Sequence, residues 1–147
     1  MTGRKRHYLV DTEGHLLVAG VGSADEDDRQ GARWLLAARD QRWPDLQLVW
    51  ADQHYTGHLE EEVQEEYGIR LEIVRKAAER RGFVVLPRRW VVERSIAWLG
   101  RCRRLSKDYE HDPAASESRC YLASIHLLLN RLCPRPRAER PSLRKAA

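Results

Sequence analysis

The chain has 147 residues, of which 42% are hydrophobic and 33% charged, and its formal net charge is +4 at pH 7. This length suits one domain with a single core of ordinary size. No apolar run approaches the roughly eighteen residues of a membrane span, and no basic-then-apolar leader is present, so we expect a cytoplasmic protein that makes no use of a membrane.

The first half of the chain alternates apolar runs with helical patterns. YLVDT and HLLVAGV flank Glu13-Gly14, which predicts a β-hairpin. DDRQGARWLLAARDQRW has helical spacing and is stopped by Pro44. LQLVWAD predicts a strand that is buried on both faces and ends at Asp52. GHLEEEVQEEYG then predicts a helix that ends at Gly68.

The second half predicts two more strands and two more helices. Residues 69–74 (IRLEIV) alternate like a strand, and residues 83–86 (FVVL) are short and extended. Pro87 stands at the natural start of an arginine-rich helix. The last helix begins near Asp112-Pro113, and its spacing predicts one buried face made of Tyr121, Ile125, Leu128 and Leu132.

This order of elements predicts an α/β domain over residues 1–133 with a mixed sheet. The hairpin strands should be antiparallel, whereas strands joined through helices should be parallel. Residues 134–147 (PRPRAERPSLRKAA) are proline-rich and basic, which predicts a disordered tail.

Residues 88–105 (RRWVVERSIAWLGRCRRL) place one carboxylate, Glu93, among six arginines. Charge alone leaves two interpretations open: a solvated basic helix face, or a surface that meets an anion such as nucleic acid. Helical spacing predicts a broad apolar face for packing on the sheet, made of Val91, Val92, Ile96, Trp98, Leu99, Cys102 and Leu105.

A second stripe of this helix carries the acid. It consists of Glu93, Ala97, Gly100 and Arg104, and it is flanked by Arg94 and Arg101. Small residues beside the acid would let a phosphate backbone approach while guanidinium groups bind neighbouring phosphates. The alternative is that Ala97 and Gly100 are small for tight helix packing.

Asp52 is the other acid that the pattern singles out. Ligands of open α/β sheets gather at the carboxyl ends of parallel strands, and Asp52 ends the most apolar strand. The alternative is an aspartate that caps the turn into the next helix.

Four stretches of the chain stand out together: GRKRHYLVDTEGHLLVAGV, DRQGA, WADQHYTG and GFVVLPRRWVVERSIAWLGRCRRLSKDYE. They resemble consecutive blocks of the DDE transposases of bacterial insertion sequences, in the fifth insertion-sequence family. The resemblance runs from about Gly3 to Leu132. It implies a ribonuclease-H-like mixed sheet flanked by helices.

The resemblance also implies roles for particular residues. Asp52 and Glu93 would be the second and third catalytic acids and metal ligands, and Arg89 would be the arginine of the motif around Glu93. The family has a tyrosine where this chain has Leu86 and a lysine where it has Gly100. Arg101 or Arg104 is then the candidate for the phosphate contact of that lysine, with Arg89 and Arg94 as further DNA-binding residues.

The first catalytic acid has two possible locations. Asp11 ends an apolar strand, but a ribonuclease-H-like sheet begins with three antiparallel strands and only two are visible before the first helix. The resemblance places the first aspartate on a strand that precedes GRKRH. The sheet would then lack its first strand, and Asp11 would lie at the opposite end of the sheet from Asp52.

The resemblance further implies cofactors and partners. A complete site would hold two Mg²⁺ (or Mn²⁺) ions for cleavage and strand transfer at transposon ends. An upstream transposase polypeptide and a homo-oligomer are possible partners. The second functional hypothesis is a non-catalytic DNA-binding or inhibitory transposase fragment.

Overall fold

The structure of the protein is a computed structural model that describes residues 3–39, 42–74 and 89–134. In chain order its strands and helices are β1 (Arg4–Val10), β2 (Leu16–Ser23), α1 (Asp28–Arg39), β3 (Leu48–Ala51), α2 (Leu59–Tyr67), β4 (Arg70–Ile73), α3 (Arg89–Gly100) and α4 (Pro113–Leu132). Single 3₁₀ turns at Gln53–Tyr55 and Arg103–Leu105 follow β3 and α3. This order confirms the α/β class. The strand predicted at 83–86, Pro87 and the tail from residue 135 lie outside the described residues.

The hairpin is antiparallel, as predicted, and pairs from Arg4 with Ser23 to Val10 with Leu16. Its turn needs Gly14, whose φ of 85° is a left-handed conformation that other residues rarely adopt. The Asp11 carboxylate stabilises the turn by accepting hydrogen bonds from the backbone N–H groups of Glu13 and His15, both at 2.8 Å. Local turn chemistry therefore fixes this element.

The remaining strands differ from the single mixed sheet that the sequence predicts. β3 pairs with β4 in parallel, from Leu48 with Arg70 to Ala51 with Ile73, and α2 makes the crossover. Among the described residues the strands form two separate two-stranded sheets. β3 is half-buried along its length rather than buried on both faces, and its residues Val49, Trp50 and Ala51 line a cavity.

Contacts at the two ends of β1 fix its direction relative to β3. Leu9, near the end of β1, belongs to a cluster that includes Leu46 and Val49, at the start of β3. Near the beginning of β1, the Lys5 ammonium lies 3.1 Å from the Asp28 carboxylate. Asp28 begins α1, and the next residue, Arg29, lies near the segment that follows β3, because a Cβ built on Gly57 would be 3.8 Å from Arg29 Nη1. The two strands are therefore antiparallel to each other.

The helices α3 and α4 pack under the hairpin, but not with all of the residues that their spacing suggests. Leu99 and Leu105 are buried as predicted, whereas Ile96 is 49% exposed. In α4, Ile125 and Leu132 are exposed, contrary to the prediction, and the buried positions are small: Ser116, Cys120, Ala123 and Ser124. Because α4 lies against β2, small side chains on that face allow the close approach, and larger ones point away.

Among the described helices, none combines the length and the apolar character that crossing a membrane requires.

The first turn of α1 lies very close to β1. The His7 side chain is 5% exposed, and a Cβ built on Gly31 would lie 2.4–2.6 Å from three atoms of its ring. A side chain at position 31 therefore has to displace a buried, rigid ring.

Replacing Gly31 by alanine is expected to lower the free energy of unfolding by about 1 kcal/mol, because overpacking outweighs the gain in helix propensity. In a His7→Ala background the obstacle is gone, so the same change should raise the free energy of unfolding by about 1 kcal/mol. Urea unfolding of the four proteins of this cycle measures both effects. The same effect in both backgrounds would contradict this contact.

Candidate functional site

A cavity of about 280 Å³ lies between the two sheets. Its walls come from the outer edges of β1 and β3, from α1 and from α3. Asp52 and Glu93, which lie on different elements, both line it. The structure therefore brings the two acids that the sequence singles out to one cavity.

Asp52 follows β3 directly and caps the 3₁₀ turn that begins there. Its Oδ1 accepts a hydrogen bond from the backbone N–H of His54 at 3.0 Å, and its Oδ2 lies 3.2 Å from Nδ1 of the same residue. The Asp52 side chain is 33% exposed. The capping interpretation is therefore correct, and it holds the carboxylate at the carboxyl end of β3.

Glu93 lies on the exposed side of α3, in the first half of the helix. Ala97, Gly100 and Arg104 are exposed as well, so the stripe predicted from the sequence faces outward. A Cβ built on Gly100 would meet no atom within 4 Å among the described residues. Packing against the described residues therefore does not explain the small residue at this position.

The Asp11 carboxylate is held by hydrogen bonds in the hairpin turn. Besides the two backbone hydrogen bonds in the turn, its Oδ2 lies 2.8 Å from Nδ1 of His15, whose other ring nitrogen contacts Arg131. Burial opposes ionisation, yet the hydrogen bonds from His15 and Glu13 hold the pKa of Asp11 below its ordinary value. Asp11 does not line the cavity. It follows the end of β1 that packs near the start of β3, whereas Asp52 follows the end of β3.

Within the three described ranges, no group of three or more histidine, cysteine, aspartate or glutamate side chains could hold a metal ion. The structure brings Asp52 and Glu93 to one cavity but does not add Asp11 to them.

The arginines that the sequence proposes for phosphate contacts differ in their surroundings. Arg94 donates through Nη2 to the Glu13 carbonyl at 2.7 Å, and its guanidinium lies 4.2 Å and 4.5 Å from the ring centroids of Trp90 and Trp98. Arg94 therefore attaches α3 to the hairpin turn. Arg104 lies 2.9 Å from the Glu110 carboxylate with its side chain 58% exposed. Arg101 is exposed, and the side chain of Arg89 lies outside the described residues.

Sequence reasoning missed His7, which lines the same cavity. Its Nε2 is buried and has no hydrogen-bond partner among the described residues. The strand alternation contained the signal, because His7 lies on the same side of β1 as the core residue Leu9.

The family model described as "Transposase DDE domain" matches residues 1–128. No curated protein and no solved structure matches the chain.

Proposed function

The chain belongs to the transposase DDE domain family, and from that premise we propose that it is the catalytic portion of a transposase that cleaves and joins DNA at transposon ends. Asp52 and Glu93 are the catalytic acids and metal ligands in this proposal. The observation that carries it is that both acids line one cavity, although they come from a strand end and a separate helix.

The donor set fits a hard divalent cation. Carboxylate oxygens are the ligands that Mg²⁺ and Mn²⁺ prefer, and phosphate oxygens of DNA can complete the shell. Bound at this position, such a cation would stabilise the charge that develops on the oxygens of the phosphodiester in an in-line displacement. Glu93 lies on α3, and Asp52 follows β3 and caps the 3₁₀ turn, so each carboxylate is held next to a regular element.

We assign the first catalytic acid of the complete site to a segment other than the described ranges. The hydrogen bonds of Asp11 within the hairpin turn support this assignment, as does its place at the other end of β1. The complete sheet is proposed to be ribonuclease-H-like, with a further strand that carries this acid. An upstream transposase polypeptide is the proposed source.

Metal binding tests the proposal without requiring turnover. Mn²⁺ titration followed by electron paramagnetic resonance should show binding that Asp52→Asn and Glu93→Gln each weaken by about 10–100-fold, since each removes a charged ligand. Glu65→Gln, an exposed acid on α2, is the matched control and should leave the affinity unchanged. Equal effects of all three substitutions would contradict a site at Asp52 and Glu93.

The second candidate function is a non-catalytic DNA-binding fragment. The observation in its favour is that two acids, not three, line the cavity within the described part of the chain. A nicking assay on transposon-end DNA with Mg²⁺ or Mn²⁺ separates the two functions. DNA binding without metal-dependent nicking, even after an upstream transposase polypeptide is added, would favour the fragment.

A further inference from the structure

The turn of the β1–β2 hairpin contacts α3 directly after Glu93. Arg94 donates through Nη2 to the Glu13 carbonyl at 2.7 Å, and Ser95 donates through Oγ to the Gly14 carbonyl at 2.8 Å. Two consecutive turn residues are therefore hydrogen-bonded to two consecutive helix residues that lie 81 positions further along the chain. The approach is close, because a Cβ built on Gly14 would lie 2.6 Å from Ser95 Oγ.

The Ser95 side chain is buried at this contact. It is 3% exposed, and of the α3 side chains that the structure describes only Ser95 and Leu99 are buried. Leu99 lies one helical turn further on, so in the first half of the described helix the buried side chain is a polar one. A hydrogen bond is directional and a buried carbonyl needs its donor, so this contact restricts the rotation of α3 about its own axis.

Arg94 adds a second contact with the same turn. Its guanidinium lies 4.2 Å from the ring centroid of Trp90, which limits the conformations that the side chain can adopt. The turn itself is fixed by Asp11, whose carboxylate accepts hydrogen bonds from the backbone N–H groups of Glu13 and His15. The donors on α3 therefore meet carbonyl groups that a carboxylate holds in place.

Ser95 and Glu93 lie on opposite sides of α3. Successive helical residues are about 100° apart around the axis, so residues two positions apart are separated by about 200°. The turn therefore holds the side of the helix opposite Glu93, which lines the cavity together with Asp52. A rotation of about 20° at a radius of about 5–6 Å moves the end of a side chain by about 2 Å. This displacement is as long as the bond between Mg²⁺ and an oxygen ligand, about 2 Å.

We propose that the hairpin turn sets the rotation of α3 and so fixes the position of Glu93 relative to Asp52, with Ser95 as the positioning residue. The inference rests on the function proposed above in one respect, the assignment of Glu93 as a metal ligand. In this proposal Asp11 orders the turn that α3 contacts, and it binds no metal itself. The rotation of the helix can be tested without metal and without DNA.

Residual dipolar couplings of the backbone N–H groups measure this rotation. The couplings vary along a helix with its period of about 3.6 residues, and their phase reports rotation about the axis. In the ¹⁵N-labelled full chain, Ser95→Ala should change the phase for residues 90–100 by about 20° or more, or lower the amplitude. The reason is that the Gly14 carbonyl loses its donor, and α3 must move before water can replace it.

The matched control is Ser118→Ala on α4. Ser118 donates to the Ala114 carbonyl at 2.9 Å, as Ser95 does to the Val91 carbonyl, but it makes no hydrogen bond to another element among the described residues. Both variants therefore lose the same bond within a helix, and only Ser95→Ala loses the contact with the hairpin. The couplings of α3 should be unchanged in the control.

Metal affinity tests the consequence for Glu93. In Mn²⁺ titrations, Ser95→Ala should weaken binding by about fivefold in the otherwise unchanged chain, but by less than about twofold in the Glu93→Gln background. The reason is that Ser95 acts only through Glu93. A purely structural role would lower the affinity by the same factor in both backgrounds, and that result would overturn the proposal.

Arg94→Met is the second variant, for the case in which Ser95→Ala does not fold. Methionine keeps a long side chain beside Trp90 but cannot donate to the Glu13 carbonyl, so it should alter the same couplings. Unchanged α3 couplings in a folded variant would overturn the proposal.

The two measurements separate this inference from the function proposed above. If the chain binds no Mn²⁺ through Asp52 and Glu93, the proposed function fails, and the couplings still decide whether the turn sets the rotation of α3. If Mn²⁺ binding depends on both acids but the couplings do not respond to Ser95→Ala, the proposed function stands and this inference fails.

Discussion

Raising the salt concentration from about 50 mM to about 200 mM is expected to weaken the binding of this chain to duplex DNA by about 40-fold. The estimate assumes roughly three phosphate contacts, each of which contributes about 0.9 to the slope of log affinity against log salt concentration. We expect these contacts to be made by three exposed arginines that follow Gly100 in the chain, Arg101, Arg103 and Arg104. Fluorescence anisotropy with a labelled duplex at several salt concentrations measures the slope.

A single substitution identifies the contacts. Arg101→Gln should reduce the salt slope by about 0.9. It should also weaken binding to different DNA sequences by the same factor, because a phosphate contact carries no sequence information. The matched control is Arg70→Gln on β4, an exposed arginine that lies 2.9 Å from Glu72. Binding that is insensitive to salt, or an equal loss in both variants, would contradict a basic surface on α3 and the turn after it.

In DNA binding, Arg94 should behave differently from Arg101, although both flank the stripe that contains Glu93. Its hydrogen bond to the Glu13 carbonyl and its position over Trp90 and Trp98 attach α3 to the hairpin turn. The sequence groups the two arginines by charge and spacing. The contact that distinguishes Arg94 joins it to Glu13, which is far away in the chain, so the local sequence does not reveal it.

The elements that the sequence predicts correctly are those that local chemistry determines. The turn at Gly14, the left-handed C-cap at Gly68 (φ 64°) and the Asp112 cap of α4 each depend on the conformational limits or hydrogen bonds of neighbouring residues. The position of Asp52 after a strand belongs to this group too. Its role as a catalytic acid stays a prediction.

The buried face of α4 shows where sequence reasoning fails. Hydrophobic spacing predicts that Ile125 and Leu132 are buried, but contact with β2 places Cys120 and Ala123 inward. Size, not hydrophobicity, decides which face approaches a strand closely. The division of the described strands into two sheets is equally non-local, since it depends on which strand edges come together in the folded chain.

Leu59→Ala is expected to lower the free energy of unfolding by about 3–5 kcal/mol, a large share of the stability of an ordinary domain. Leu59 is 1% exposed and packs with Leu36, Val63, Ile69 and Leu71, so its truncation leaves a void that the neighbouring elements can fill only in part. This cluster holds α2 and β4 against α1 and β3. Loss of Leu59 should therefore also loosen the position of Asp52.

The matched control is Leu129→Ala, the same truncation on α4. Leu129 is 57% exposed, and its replacement should change the free energy of unfolding by no more than about 0.5 kcal/mol. Urea unfolding followed by tryptophan fluorescence gives both values. Comparable losses of unfolding free energy in the two variants would mean that the face of α4 opposite β2 is buried in solution.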